Sequence, residues 1–316
     1  MPNRIAVIVN VSAGADDKKA VADNLIGIFR SGGLDARVTL APSGAKIIEA
    51  ARLAAREKQR AIVAGGGDGT INAVASRLVG SDIALGVLPL GTLNHFAKDL
   101  SIPLELDAAA RNIIAGRAVQ VDVGEVNGRI FLNNSSLGLY PSIVLQRKKQ
   151  QEQLGRGKWP AFAWATLTML RRYPFLSVRL STNDRELVRR TPFVFIGNNE
   201  YQMESFNIGA RGCLDAGQLS LYMPHRTGRL GLLGLALRAL FGRLREAKDF
   251  DTLCTKEIWI ETRRKRLPVA LDGEVTIMDT PLHYRVRPGA LRVIVPESHE
   301  SSGAEEGEHA HARPSL

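Results

Sequence analysis

The sequence predicts an α/β N-terminal domain with an open, mostly parallel sheet, followed by a C-terminal antiparallel β-sandwich domain. The 316 residues suffice for two domains at about 100–200 residues each. The first 125 residues alternate short apolar runs with helical periodicity, which is typical of a parallel sheet with helices on both faces. From about Val126, short strand-like runs dominate, which favours antiparallel β structure.

The N-terminal elements follow from their residue patterns. The run at 5–9 is continuously apolar, as in a strand buried on both faces. The stretch 18–30 places Val21, Leu25, Ile28 and Phe29 on one helical face. Ser43 is a suitable cap for an alanine-rich helix that ends near 58. The remaining elements predicted here are strands at 37–40, 61–64 and 83–88 and a helix at 71–79.

The C-terminal half is predicted to be β-rich with two helical interruptions. Its predicted strands are 129–133, 176–181, 191–196, 218–223, 257–261 and 291–295, and its predicted helices lie near 159–172 and 229–245. The boundary lies near 123–127, so residues 1–125 form the α/β domain, rejoined by the last strand near 284–296, and residues 126–283 form the β-rich domain. The tail 297–316 is acidic and almost devoid of apolar residues, which predicts disorder.

Composition excludes several classes of protein. Two cysteines are too few for a disulfide scaffold or a cysteine-rich zinc fold. The start lacks the features of a signal peptide, and no apolar run is long enough for a transmembrane helix, which predicts a cytoplasmic protein. The net charge is +10, and the tail, with one Arg against five Glu, contributes −4, so the body carries +14. Such a basic body favours anionic partners, although the same charge could equally serve only to keep the protein soluble.

The strongest local signal is the turn Gly65-Gly66-Gly67-Asp68-Gly69-Thr70, between a buried strand and a helix. Glycines leave backbone N–H groups open to an anion, and the helix start adds a positive dipole end, so the turn is a candidate phosphate cradle. Asp68 is suited to orient Mg²⁺ or a ribose, and Thr70 to donate to phosphate. The alternative is a plain glycine-rich turn, since neither a P-loop nor a GxGxxG fingerprint is present.

A second turn, Leu88-Pro89-Leu90-Gly91-Thr92-Leu93-Asn94, follows the next predicted strand and also leads into a helix. The turn 10–14 follows the first strand. Because ligands bind at the carboxyl ends of parallel strands, we expect all three turns to meet at one edge of the sheet. Simple helix capping is the alternative for the second turn.

These motifs resemble the diacylglycerol-kinase-type lipid kinase family, in its soluble bacterial branch. GGGDGTIN at 65–72 matches the family's most specific motif, and LPLGTLNHFAKDLSIP at 88–103 matches the next, with His95 where the family usually has Asp. VNVSAG at 9–14 carries Val11 in place of the usual Pro. VDVGEVNGRIFLNNSSLGL at 121–139 resembles the entry into the second domain, and LDGE at 271–274 resembles the catalytic motif.

The resemblance implies transfer of the γ-phosphoryl group of ATP, with Mg²⁺, to a lipid hydroxyl, most simply from diacylglycerol to phosphatidic acid. By the same analogy Glu274 is the general base and Asp272 its partner, a role that two carboxylates on a tight turn can fill. The residues that the resemblance implies for the ATP site are Asn10, Thr39, Gly66, Gly67, Asp68, Gly69, Thr70, Thr92 and Asn94.

One departure concerns a second, structural Mg²⁺ site that the family often has in an acidic turn. Here the turn is Leu214-Asp215-Ala216-Gly217, so Asp215 remains and the second acid is replaced by Ala216. The loss of one hard carboxylate ligand predicts a weakened site.

The resemblance also implies contact with a membrane surface, and it leaves a homodimer open. The stretch 229–248 is a basic amphipathic helix candidate that suits an anionic interface. The basic runs 147–149, 171–172 and 263–266 would add about 1 kcal/mol per residue near such a surface. The apolar stretch 159–170 is a candidate entrance for acyl chains. Packing on the sandwich core and solvated loops are the alternatives.

Two other function classes compete with a lipid kinase. A kinase of a soluble acceptor such as NAD is one, because NAD kinases share the GGDGT turn. A non-catalytic protein that binds nucleotide or anionic lipid is the other, and Val11, His95 and Ala216 are the departures that favour it. Nucleic acid is not a predicted partner, since aromatic residues make up only 6% of the chain.

Overall fold

A computed structural model describes residues 3–11, 18–57, 59–139, 141, 175–182, 185–202, 210–211, 213–224 and 250–297. The helices predicted at 159–172 and 229–248, the acyl-chain entrance at 159–170, the basic runs at 147–149 and 171–172, and the tail beyond 297 lie outside the described residues. So do residues 12–14 of the first turn.

The helices of the described part of the chain are α1 (Lys18–Ser31), α2 (Gly44–Arg56), α3 (Asp68–Ala75), α4 (His95–Asp99) and α5 (Leu106–Ala115). Its strands are β1 (Arg4–Asn10), β2 (Asp35–Ala41), β3 (Ala61–Gly66), β4 (Ala84–Pro89), β5 (Arg117–Val126), β6 (Arg129–Phe131), β7 (Asn134–Gly138), β8 (Leu176–Ser181), β9 (Glu186–Thr191), β10 (Phe193–Asn198), β11 (Tyr201–Gln202), β12 (Ala210–Arg211), β13 (Leu219–Pro224), β14 (Phe250–Thr255), β15 (Glu257–Thr262), β16 (Arg266–Leu271), β17 (Glu274–Asp279) and β18 (Leu282–Val295).

The first sheet begins as the predicted parallel sheet. Its strand order is β2-β1-β3-β4-β18-β15-β8-β9, and β1, β2, β3 and β4 pair in parallel. The apolar run of β3 is buried along its whole length, because α2 and α3 cover one face and α1 and α5 cover the other. The carboxyl ends of these strands therefore share one edge, where the candidate site lies.

The second sheet is antiparallel, with the order β14-β13-β10-β7-β16-β17. Apolar side chains such as Leu137, Ile196 and Val269 face inward and form one core with Ile258, Leu282 and their neighbours on the first sheet. The predicted fold class, an α/β domain with a mostly parallel sheet plus an antiparallel β-sandwich, is therefore confirmed.

The last strand joins the two halves. Residue Val293 of β18 lies opposite Leu85 of β4 in parallel register, and the start of β18 pairs with β15. On its other side β18 pairs with β5, with a register shift between Arg287 and Leu291. The first sheet thus runs without interruption from the α/β half into the sandwich.

Several elements differ from the sequence prediction. The strand predicted at 191–196 is divided between two strands. Strand β9 ends before Pro192 and β10 begins after it, because proline has no N–H to donate to the ladder. The helix predicted at 71–79 spans Asp68–Ala75, since its cap is Gly67 rather than a residue after the turn. Strand β5 was not predicted, because Asp122 and Glu125 are buried within it and hide its pattern.

None of the helices in the described ranges is long and apolar enough to cross a membrane.

Candidate active site between the glycine turns and the Asp272–Gly273 turn

The first glycine turn brings backbone amides to the end of β3. Gly65 and Gly66 lie within the strand, and Gly67 caps α3, whose first turn is Asp68, Gly69 and Thr70. The helix supplies no acceptor for the N–H groups of its cap and first two residues. These N–H groups, together with the positive end of the helix, can bind a phosphate oxygen.

The two glycine turns touch, and this contact requires glycine. A Cβ on Gly91 would lie 2.5 Å from the Cα of Gly67, which no side chain tolerates. A Cβ on Gly66 would lie 2.5 Å from Oγ1 of Thr70. The glycines are therefore needed for close approach rather than for a left-handed backbone, since none of them has a positive φ.

Asp68 joins the two turns. Its Oδ2 accepts a hydrogen bond from the N–H of His95 at 3.2 Å, and its Oδ1 accepts one from the N–H of Phe96 at 3.2 Å. The carboxylate therefore caps α4 across the gap between the turns. The sequence predicted a role in orienting Mg²⁺ or a ribose, whereas the described partners of this side chain are backbone amides.

Asn94 shapes the second turn from inside. Its backbone is left-handed, with φ 50°, and the residue is buried. Oδ1 accepts from the N–H of Gly91 at 3.1 Å, and Nδ2 donates to the Gly91 carbonyl at 2.9 Å. Thr92, on the outside of this turn, is exposed.

The first strand contributes Asn10 to the same edge. Its Nδ2 donates to Oγ1 of Thr70 at 3.0 Å, which leaves the hydroxyl hydrogen of Thr70 directed elsewhere. Thr39 lies in the edge strand β2, opposite Ile8, and is exposed. The structure thus brings Asn10, Thr70 and the two glycine turns together, with Thr39 at the margin.

The Asp272–Gly273 turn closes the hairpin of β16 and β17. Asp272 has φ 46° and Gly273 has φ 86°, as a two-residue hairpin turn of the primed type requires. Leu271 pairs with Glu274 at the base of the turn. The sequence Asp-Gly is a preferred one for this geometry, so the turn is determined locally.

The carboxylate of Asp272 holds this turn against the rest of the protein. Oδ1 accepts from the N–H groups of Asn133 at 2.8 Å and Asn134 at 3.0 Å. Oδ2 accepts from the N–H of Leu132 at 2.8 Å and from Nδ2 of Asn72 at 2.5 Å. Asn72 belongs to α3, so this last bond connects the hairpin to the helix behind the first glycine turn.

Both oxygens of the Asp272 carboxylate are engaged by hydrogen-bond donors. The carboxylate is enclosed, and this burial raises the pKa of Asp272. The four donors act in the opposite direction, because each favours the charged form. A proton on either oxygen would displace one of these hydrogen bonds. The geometry therefore suits Asp272 to positioning its neighbours.

Glu274 is exposed and lies directly over the first glycine turn. A Cβ built on Gly69 would be 2.6 Å from Oε1 of Glu274 and 3.4 Å from its carboxyl carbon. The carboxylate of the sandwich half and the amides of the α/β half thus face the same space. This arrangement allows one group to remove a proton while the other binds phosphate.

The acidic turn at 214–217 is held by Asp122. The buried carboxylate of Asp122 accepts from the N–H of Gly217 at 2.6 Å and from the N–H of Gly289 at 2.8 Å. Asp215 is exposed. Within the described ranges, no three His, Cys, Asp or Glu side chains are grouped so that they could hold a metal ion. A structural Mg²⁺ site at Asp215 remains a prediction.

Sequence reasoning missed three contributors to the site. They are Asn72, the run of amides at 132–134, and Asp122. Asn72 stands inside the quoted GGGDGTIN motif, so its position was visible although its partner, 200 residues away, was not. The amides of 132–134 have no side-chain signal at all.

Comparisons with known proteins relate both halves of the chain to one family. Residues 4–126 match the diacylglycerol kinase catalytic domain, and residues 144–295 match the YegS C-terminal NAD kinase beta sandwich-like domain. A protein of Pseudomonas aeruginosa named probable lipid kinase YegS-like is 32% identical over 245 residues, which cover 74% of this chain and 76% of that protein. One of Yersinia enterocolitica with the same name is 40% identical over 146 residues, so the match spans 44% of this chain and about half, 47%, of that relative.

The fold has a close counterpart among solved structures. The crystal structure of a diacylglycerol kinase from Bacillus anthracis superposes with a TM-score of 0.69 at 20% identity, covering 94% of this chain and 98% of that one. One assignment follows from three observations. The two matched domains occur in the same order, the Pseudomonas relative covers most of the chain, and Glu274 faces the glycine turns. The chain belongs to the YegS-like branch of the diacylglycerol kinase family, whose members are lipid kinases that transfer phosphate to a hydroxyl.

Proposed function

We propose that this lipid kinase transfers the γ-phosphoryl group of ATP to the free hydroxyl of diacylglycerol and forms phosphatidic acid. The observation that carries the proposal is the contact between the Glu274 carboxylate and Gly69, the last of the three amides at 67–69. In-line phosphoryl transfer to a hydroxyl needs a base and a phosphate-binding site that lie next to each other.

The reaction assigns a role to each group. Glu274 takes the proton of the acceptor hydroxyl as its oxygen attacks the γ-phosphorus. A new O–P bond forms, the bond from the γ-phosphorus to the bridging oxygen breaks, and the electron pair leaves with ADP. Asp272 and the amides of 132–134 keep Glu274 in place, because they fix the turn on which it stands.

The residues of the two glycine turns fit the phosphates of a nucleoside triphosphate. The N–H groups at 67–69 and the Thr70 hydroxyl provide hydrogen-bond donors for phosphate oxygens. Where the two turns touch, at Gly67 and Gly91, neither residue has a side chain. Mg²⁺ bound to ATP neutralises phosphate charge in such reactions. The described residues offer no three-ligand metal cluster, so we place Mg²⁺ with the phosphates of the nucleotide.

The proposed acceptor is a lipid rather than a soluble molecule. Relatives named lipid kinases and the matched YegS C-terminal domain support a lipid. That domain is also described as NAD kinase-like, so a soluble nucleotide acceptor is the appropriate rival.

A panel of acceptors with labelled ATP and Mg²⁺ tests the proposal. Purified protein should label diacylglycerol in mixed micelles, with phosphatidic acid as the product, and should leave NAD unlabelled. Labelling of NAD alone would replace the lipid assignment with a soluble one. Nucleotide binding without transfer to any acceptor would mean that catalysis has been lost.

A further inference from the structure

The hairpin of β16 and β17 carries the Asp272–Gly273 turn at one end and a strongly basic surface at the other. Arg263, Arg264 and Lys265 form the connection from β15 into β16, and all three are exposed. Strand β17 begins at Glu274 and ends at Asp279, so about 17 Å separates the two ends at the usual rise per residue.

The basic connection is ordered. Thr262 and Thr280 both donate through Oγ1 to the carbonyl of Arg264, at 3.0 Å and 2.6 Å. The N–H of Thr280 donates to the carbonyl of Lys265 at 3.0 Å. These bonds fix the backbone, so the three cations project from a defined position rather than from a loose loop.

The nearby charge is predominantly positive. Arg266 pairs with Asp279 at 2.9 Å, and both side chains are largely exposed. The adjoining turn is tied to the same end, because Nδ2 of Asn127 donates to the carbonyl of Asp279 at 3.1 Å, and Arg129 follows it as an exposed residue. Across this end of the hairpin, five cations, at 129 and 263–266, stand against two acids, Asp279 and Glu261.

An apolar side chain accompanies this charge. Ile277 is 64% exposed on β17, which is the last strand of the second sheet in the described part of the chain. It lies opposite Pro268 in the register, two positions from the Arg266–Asp279 pair. An exposed isoleucine beside cations suits an anionic bilayer, since its side chain can enter the acyl boundary while the cations contact lipid phosphates.

We propose that this surface, consisting of Arg129, 263–266 and Ile277 and called here the hairpin membrane edge, binds anionic lipid bilayers. It places the edge strand that begins with Glu274 along the lipid surface, and in this respect it rests on the proposed function. Nucleic acid is a poorer fit, because single-strand sites add stacking aromatics to their cations and the hairpin membrane edge has none among its residues.

Vesicle cosedimentation in the absence of ATP tests the surface independently of catalysis. Wild type should bind phosphatidylcholine vesicles that contain phosphatidylglycerol, and binding should fall with salt and without the anionic lipid. The triple variant Arg263→Gln, Arg264→Gln, Lys265→Gln should bind at least about tenfold less, since each cation near such a surface contributes about fivefold. Ile277→Ser should also reduce binding, by about tenfold, because an apolar side chain no longer inserts.

Helix α2, together with Arg60 just before β3, offers matched controls. Arg52, Arg56 and Arg60 are exposed, and Leu53 is 50% exposed. The triple Gln variant at these arginines and Leu53→Ser remove the same charge and a similar apolar group, and both should bind vesicles like wild type. Equal losses in the control and test variants would reduce the effect to net charge and overturn the assignment of the surface.

Kinase assays separate this proposal from the proposed function. With a short-chain diacylglycerol dispersed without vesicles, the hairpin variants should phosphorylate at the wild-type rate, whereas on vesicle-embedded diacylglycerol their rate should fall with their binding. Wild-type vesicle binding by both hairpin variants would refute the hairpin membrane edge. Vesicle binding that follows the expected pattern without any lipid phosphorylation would refute only the proposed function.

Discussion

The side-chain amide of Asn72 donates a 2.5 Å hydrogen bond to the carboxylate of Asp272, although 200 positions separate the two residues in the chain. Asn72 also donates to the carbonyl of Ile130 at 3.4 Å. Helix α3 therefore holds the hairpin turn with Asn72 while Gly69, one turn earlier, lies under Glu274. One helix sets the position of both the phosphate cradle and the carboxylate that faces it.

Removal of this connection should reduce turnover more than nucleotide affinity. We expect Asn72→Ala to lower kcat by about 10- to 100-fold, because a small displacement of the catalytic carboxylate is sufficient for such a loss. The KM for ATP should stay nearly unchanged, since the amides of 67–69 are untouched. Asn24→Ala is the matched control, as Asn24 donates to Asp107 at 2.8 Å on the surface of the α/β half. A normal kcat in Asn72→Ala would show that the bond does not position Glu274.

Glu274→Gln should separate proton removal from folding. The substitution keeps the size of an exposed side chain and removes its basicity, so kcat should fall by at least about 100-fold while the melting temperature and ATP binding remain as in wild type. Steady-state kinetics and a thermal melt measure the two effects. Full activity in this variant would exclude Glu274 as the base.

Asp272→Asn should instead affect stability. Four donors point at the two oxygens of Asp272, and an amide offers only one oxygen to them, so buried N–H groups would lose their acceptor. We expect the free energy of unfolding to fall by about 1–3 kcal/mol. Urea denaturation of both carboxylate variants measures the difference. Stability equal to that of Glu274→Gln would contradict the holding role of Asp272.

Gly69→Ala should raise helix stability and lower activity together. Alanine is favoured over glycine in a helix by about 0.5–1 kcal/mol, but its Cβ would lie 2.6 Å from Oε1 of Glu274 and must displace that carboxylate. Gly27 of α1 has no atom within 4 Å of an added Cβ, so Gly27→Ala provides the same helix effect without the contact. We expect reduced kcat only in Gly69→Ala. Unchanged kinetics there would place Glu274 away from Gly69 in solution.

Local sequence signals predicted the parts of the site that are locally determined. The glycine turn follows from a buried strand and a helix start, and the Asp272–Gly273 turn follows from a dipeptide that prefers positive φ. The Ser43 cap was likewise predictable, and its side chain accepts from the N–H of Lys46. In each case the residues that make the structure are neighbours in the chain.

The remaining parts depend on distant partners. Asp68 was expected beside a ligand because its motif is glycine-rich, yet its two oxygens accept from the amides of His95 and Phe96, which reach it only through the contact between two turns. Strand β5 escaped prediction because a buried Asp122 looks like a surface residue in sequence, and only the amides of Gly217 and Gly289 explain its burial. His95 stands where the family usually has Asp, and nothing in the structure explains that change.

Strand β18 has a consequence for attempts to divide the protein. It pairs with β15 and β4 along one side and with β5 along the other, and its side chains Leu291, Val293 and Val295 complete the apolar layer beneath α2 and α3. A fragment cut after the first matched domain would lack this strand and would expose an unpaired edge of β4 beside bare apolar surface. The α/β half is thus completed by a strand that lies more than 150 positions after its other strands in the chain, and we expect this half to aggregate when it is expressed alone.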